Sequence, residues 1–197
     1  MPYGVLSVDV GFVNFGYTLF VSENSFINMS KESYKNLKVT FDTINLTQFM
    51  NPKASEVAEL CKAIKLVFQK FANVVNIEYL IIEQQNIKNP GAMCAMYSIV
   101  SIAQTLGISS DRTIVLCPKL KFRYVGLDCP SEYHDRKNLS VQMFKNLLTV
   151  IDPEDVLRAK FDVHNKQDDI ADSFNQAFTW LVHEKKLKFN LTVMKQK

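Results

Sequence analysis

Three stretches of this chain place acidic side chains where a charge is expensive. In VLSVDVGFVNFGYTLF, Val5 to Phe20, Asp9 ends an apolar run just before a glycine. In IEYLIIEQQN, Ile77 to Asn86, Glu83 ends a second one. In NKQDDIADSFNQAFTWL, Asn165 to Leu181, Asp169 and Asp172 open a segment whose apolar residues, Ile170, Phe174, Ala177, Phe178 and Leu181, follow the helical period. An unpaired carboxylate in an apolar interior costs several kcal/mol or becomes neutral. Each acid alone has a plain reading: Asp9 as a turn former, Glu83 as a strand-end charge in water, Asp168 or Asp169 as a helix cap, Asp172 as solvated. Together they offer four carboxylates to one pocket, because ligands of open α/β sheets gather beyond the carboxyl ends of strands. Clustered carboxylates repel unless a cation joins them. Oxygen-only donors without a nearby His or Cys suit Mg²⁺ or Mn²⁺ rather than zinc.

The elements that must position these acids can be read from pattern. Val5 to Val10 is a strand buried on both faces, and a turn over Gly11 to Asn14 joins it to a second strand, Gly16 to Val21. Lys38 to Ile44 is a third. Pro52 and Ser55 open a helix with Val57, Leu60, Ile64, Val67, Phe68 and Phe71 in period. Tyr79 to Ile82 is a short apolar strand of the parallel kind. Asn89-Pro90-Gly91 precedes a helix from Ala92 to Leu106, and Thr113 to Cys117 is a fifth strand. Lys119 to Lys137 reads as irregular, Leu139 to Val150 as helix, and Asp169 to Val182 as the last helix. The pattern predicts an α/β domain with a mixed five-stranded sheet, a three-stranded antiparallel start followed by parallel strands, flanked by helices.

Bulk properties bound the function. With 197 residues, 47% hydrophobic and 22% charged, the chain is expected to form one folded domain over 1–184, followed by a basic tail, 185–197. A net charge of +3 permits an anionic partner without demanding one. Cys61, Cys94, Cys117 and Cys129 form no C-x-x-C pair, and no apolar run approaches the ~20 residues of a membrane span. No secretory signal or transit peptide is evident. These features predict reduced thiols in an intracellular protein with no membrane partner. Cys61 and Cys94 read as core fillers, and His134, His164 and His183 as structural.

In order and spacing, VDVGFVNFGYTLF, IIEQQN and KQDDIADSFNQAF resemble the motifs of RuvC-type Holliday junction resolvases of the RNase H-like superfamily, most of all those of poxviruses and other large DNA viruses. The resemblance runs over roughly residues 3 to 183. It implies an RNase H-like fold and a homodimer that cuts four-way DNA junctions by metal-dependent hydrolysis. Two Mg²⁺ ions, with Mn²⁺ as substitute, would be held by Asp9, Glu83, Asp169 and Asp172, with Asp168 a weaker candidate. The family's catalytic lysine falls best on Lys137 in HDRKNLS, with Arg136 less favoured. For a viral protein it implies a place in the host cell where viral DNA replicates. The chain departs at Asn86, where bacterial members carry an aromatic used against bases. Tyr97, Phe122 and Tyr124 are the alternatives.

DNA must also be held. Lys119, Lys121, Arg123, Arg136 and Lys137 lie in one segment interleaved with Phe122, Tyr124 and Tyr133, which suits phosphate contact and base stacking, or else a solvated loop. The apolar helix Ala92 to Leu106 suits either a two-fold interface or burial in the core. Rival functions are a nuclease for other branched DNA or RNA–DNA hybrids, a DNA-binding module without catalysis, and a phosphotransferase of the actin and sugar-kinase type. The last needs a second domain and glycine-rich loops, and this chain has only six glycines.

Overall fold

A computed structural model describes residues 1–11, 13–29, 35–51, 56–151, 155–185 and 189–193. The expected strands all form, as β1 (Tyr3–Val10), β2 (Asn14–Ser22), β3 (Lys35–Asn45), β4 (Asn76–Glu83) and β5 (Thr113–Leu116). The helices are α1 (Glu56–Ala72), α2 (Pro90–Thr105), α3 (Leu120–Arg123), α4 (Tyr133–Ile151), α5 (Val156–Asp162) and α6 (Gln167–His183). Pro52 and Ser55, read as opening α1, lie outside the described residues.

Strand order is β5-β4-β1-β2-β3-β6, with β1 antiparallel to β2, β2 antiparallel to β3, and β4 parallel to both β1 and β5. A sixth strand, β6 (Phe189–Val193), runs parallel to β3 at the edge. It comes from the segment read as a basic tail, so the ordered sheet extends past residue 184. Five residues with little alternation gave no sign of this, because what recruits them is the open edge of β3.

Strand alternation sends successive side chains to opposite faces. Leu6, Val8 and Val10 of β1 pack with Leu60, Ile64 and Phe68 of α1 and Ala95 and Ile99 of α2. Val5 of β1 and Tyr79 and Ile81 of β4 face the other layer, where Phe144, Phe161, Phe174 and Trp180 of α4, α5 and α6 pack. Phe144 centres an aromatic cluster there, with ring centroids 4.5 Å from both Phe161 and Phe174 and 5.5 Å from Phe41. Such pairs add about 0.5–1.5 kcal/mol each beyond area burial. Val57, read as part of the α1 stripe, is exposed, and α2 turns Ala92, Ala95, Met96, Ile99 and Ala103 to the core while leaving Tyr97 exposed.

The segment Lys119 to Lys137 is more regular than its composition suggests. It contains α3, and α4 begins at Tyr133, putting Arg136 and Lys137 on a helix. The first turns of α4 are polar because they face solvent and the cavity described below, so no apolar period marks them. The short helix α5 was likewise not anticipated.

Candidate active site

The acids meet because of strand parity. Val8 of β1 pairs in parallel register with Ile82 of β4, so Asp9 and Glu83, one residue further on, leave adjacent central strands together. Both belong to the parity of Val5 and Tyr79 and so face α6. That helix lies across β1, β2, β3 and β4, and one feature lets it come close. A Cβ on Gly16 of β2 would sit 2.7 Å from the Asp169 carbonyl oxygen and 2.8 Å from the Asp169 Cβ. Glycine at that point admits the first turn of α6 onto the sheet. Asp168 and Asp169 stand in that turn, one turn before Asp172.

Asp172 is the most embedded of the acids, 2% exposed, which excludes a solvated role. Its carboxylate accepts from the ammonium groups of Lys121 and Lys137 and from the Ser140 hydroxyl. Ser140 in turn accepts at its Oγ from Asn175 Nδ2, 3.0 Å away. Glu83 Oε2 accepts from Lys121 Nζ at 3.0 Å and Gln176 Nε2 at 2.7 Å. Asp9 is no turn former: the turn is closed by the Gly11 N–H on the Asn14 carbonyl, and Asp9 pairs with Lys137 at 3.3 Å.

Lys121, read as a DNA contact, is therefore corrected. It is 4% exposed and lines the cavity with its ammonium taken up by Glu83 and Asp172. Its partners lie 38 and 51 residues away in sequence, and nothing local marked the pairing. Lys137 lies where the other acids converge. Its Nζ is 2.7 Å from Asp172, 3.3 Å from Asp9, 3.5 Å from Asp168 and 3.6 Å from Asp169. Arg123 is exposed on α3 away from the cavity, while Lys119 and Arg136 line it. Lys88 and Lys166, not anticipated, line it too.

The electrostatics follow from this crowding. Burial opposes charge on Asp172, but the two lysines outweigh it and hold the carboxyl below the usual range. Burial, then Glu83, pushes Asp9 well above that range against the pull of Lys137. Asp169 is raised by burial, with Lys137 opposing. Burial works against the charge on Lys121 and Lys137, yet the surrounding acids hold both firmly protonated. Five carboxylates thus share two ammonium groups, leaving an excess of negative charge.

That excess tests whether a divalent cation suits the site. Among the described residues no three acids surround one point as a ready-made metal cage, because the Lys137 ammonium lies between them. The donors are all carboxylate oxygens, and five carboxylates against two ammonium groups leave negative charge to be compensated. The set fits a hard cation, with Asp9, Glu83, Asp169 and Asp172 the side chains that would hold it.

These residues line a cavity of about 790 Å³ with an acidic floor and a rim carrying Lys88, Lys119, Arg136 and Lys166. Among the alternative aromatics, Phe122 is buried, Tyr124 donates to Glu184 and stacks on His183, and Tyr97 lies off the cavity. The four cysteines are free, with Cys61 and Cys94 half-buried. No helix among the described residues is long and apolar enough to cross a membrane.

The arrangement was compared with known proteins. The yeast mitochondrial Holliday junction resolvase Ydc2 superposes with a TM-score of 0.62 at 19% identity, covering 91% of this chain and 79% of that one. RuvC of Thermus thermophilus superposes with a TM-score of 0.55 at 12% identity, covering 93% and 96%. The same protein in complex with a Holliday junction substrate gives 0.54 at 11% identity, again covering 93% and 96%. At such identities the likenesses establish the fold, which is RNase H-like. No curated protein matches the chain by sequence. The family model described as the poxvirus A22 protein matches residues 4–184. That match spans both acidic strand ends and all of α6, so the chain belongs to the poxvirus A22 family of Holliday junction resolving nucleases.

Proposed function

We propose that this chain resolves four-way DNA junctions by hydrolysing one phosphodiester in each of two opposed strands, using two Mg²⁺ ions that Mn²⁺ can replace. Asp9, Glu83, Asp169 and Asp172 would hold the ions, with Asp168 at the edge of the set. The observation that carries this reading is the convergence of Asp9, Asp168, Asp169 and Asp172 on the Lys137 ammonium, all within 3.6 Å, in a cavity with a basic rim. When bound, such ions supply an activated water and neutralise charge at phosphorus and the departing oxygen.

The chain's own residues do the rest. Lys119 and Arg136 on the rim neutralise phosphates that flank the cut, with Lys88 and Lys166 beside them. Lys137, 18% exposed at the mouth, offers its ammonium to the scissile phosphate as charge builds there. Lys121 stays inside and keeps Glu83 and Asp172 apart at a fixed distance. A DNA-binding module without catalysis is disfavoured, since five acids beneath the basic rim would only repel phosphate. A junction has two-fold symmetry, and a two-fold dimer brings two such sites with one self-complementary interface. The place of action is the host cell where viral DNA replicates.

The test is cleavage of synthetic junctions, forks, flaps and RNA–DNA hybrids with Mg²⁺, mapping the nicks, alongside sedimentation with and without junction. Symmetric paired nicks confined to junctions, by a dimer, are expected. Faster cutting of flaps or hybrids would move the substrate to another branched nucleic acid. A monomer under all conditions would remove the paired mechanism.

A further inference from the structure

Gln176 on α6 is 1% exposed, and only half of its side-chain amide is used. Its Nε2 donates to Glu83 Oε2 at 2.7 Å, while its Oε1 is a buried acceptor with no hydrogen-bond partner among the described residues. A carboxylate oxygen can only accept, so the amino end of the amide is the end that faces it. A buried acceptor without a donor destabilises the fold, and an apolar side chain of the same length would avoid that cost. The chain thus keeps a donor where stability alone favours none. Gln176 does not line the acidic cavity but stands behind it. It follows Asp172 by four residues, so Asp169, Asp172 and Gln176 run along one face of α6.

The donor is aimed at one oxygen. Lys121 Nζ reaches the same Oε2 at 3.0 Å, and among the described residues nothing donates to Oε1. Two donors, one from α3 and one from α6, therefore pin the carboxylate by a single atom. Lys121 is shared with Asp172, but the Gln176 amide serves Glu83 alone. Being neutral, the amide fixes the carboxylate without cancelling its charge, which a second ammonium group would do. With Oε2 engaged on the protein side, Oε1 is the oxygen Glu83 has left for a ligand in the cavity it lines.

We propose that Gln176 is a positioning residue: it holds Glu83 Oε2 against α6 so that Glu83 meets the divalent cation through Oε1 alone. The proposal rests on the reading of Glu83 as a metal ligand above and names the contact that sets how that ligand binds. Removing a hydrogen bond behind a ligating side chain lowers metal affinity or activity by about 10- to 100-fold. The metal-free chain should show no matching loss of stability, because the orphaned Oε1 leaves together with the donor.

The test uses the full chain and Mn²⁺ alone, with binding followed by the electron paramagnetic resonance signal of the free ion. Gln176→Met, which keeps the length and removes the donor, should weaken Mn²⁺ binding by about 10- to 100-fold. Its Tm in chelator should stay at or above that of the wild type, and its junction affinity in chelator should be unchanged. Half-saturating Mg²⁺ for cutting should rise by the same factor, with the rate recovered as Mg²⁺ is raised, a split that a distorted fold would not give. Gln176→Asn keeps an amide but draws it back by one carbon, and should weaken Mn²⁺ binding similarly even if Met is poorly accommodated. Wild-type Mn²⁺ affinity in both variants, or a fall in Tm with Mn²⁺ affinity intact, overturns the proposal. Glu83→Gln is the reference and should weaken Mn²⁺ binding at least as far. If Glu83→Gln loses Mn²⁺ while the Gln176 variants keep it, this proposal alone falls. If Glu83→Gln binds Mn²⁺ as the wild type does, Glu83 is no ligand and the underlying reading falls with it.

Discussion

Asp172→Asn separates the structural from the chemical role of the buried acid. At 2% exposure Asp172 accepts from Lys121, Lys137 and Ser140. The substitution removes the charge and turns one acceptor into a donor facing an ammonium. Lys137 can lean toward Asp9, but Lys121 is left with Glu83 alone in the interior. Breaking one partner from a buried pair costs about 3–5 kcal/mol, and the remaining Glu83 contact sets the expectation near the lower end, about 3. For a domain of this size each kcal/mol moves Tm by about 2–4 °C, so a fall of roughly 6–12 °C is expected. Lys121→Met should cost a similar amount. The double variant Asp172→Asn/Lys121→Met should recover part of the loss, because the Asp172 and Lys121 charges go together while Glu83 keeps only the Gln176 amide. The assay is thermal unfolding in chelator, so that no bound cation contributes. Because the native Asp172 pKa is depressed, its contribution is present above the unfolded value of about 3.9 and is lost as pH falls below it. The gap between wild type and Asp172→Asn should therefore close below about pH 4. Additive losses in the double variant, or an unchanged Tm for Asp172→Asn at pH 7, would refute the reasoning.

Asp169 should behave oppositely. Its carboxyl is held above its usual pKa, so Asp169→Asn is expected to leave Tm unchanged or slightly higher while abolishing cutting; a large fall in Tm would show that the charge is better compensated than described. Asp9→Asn and Glu83→Gln should each abolish cleavage and leave junction binding intact or stronger, as gel shifts in Ca²⁺ would measure. Lys137→Ala should slow cleavage by roughly 10²-fold or more with little change in affinity, whereas Arg136→Ala should mainly weaken binding and lower its salt slope. Gly16→Ala forces the first turn of α6 off the sheet, since backbone atoms of Asp169 stand in the way, and should cost about 1–3 kcal/mol of stability with a loss of rate. Mg²⁺ or Mn²⁺ should support cutting and Ca²⁺ should not, and full activity in excess chelator would remove the metal from the site.

The local sequence determined more of the site than of its surroundings. An apolar run that ends in an acid is a buried strand delivering a carboxylate to the sheet's rim, and period-two alternation fixes which face that acid takes. That is why Asp9 and Glu83 were legible, and why an i, i+3 acid pair beginning an apolar-periodic helix marked Asp169 and Asp172. The central strands and long helices were legible for the same reason: burial writes a period into the chain. Interactions without a period stayed hidden. Lys121 looked like any other lysine in a basic loop, and only the fold, by bringing β4, α3 and α6 together, made it the internal partner of Glu83 and Asp172. The start of α4 was masked because its first turns face water and a polar cavity. β6 depended on an open edge far away in sequence. The difference between Asp169 and Asp172, adjacent on one helix face, was decided by their partners: one turn further along α6 carries the second acid beneath Lys121, Lys137 and Ser140, which outweigh its burial, while the first has chiefly Lys137 against the cost of burial and the charge of Asp168.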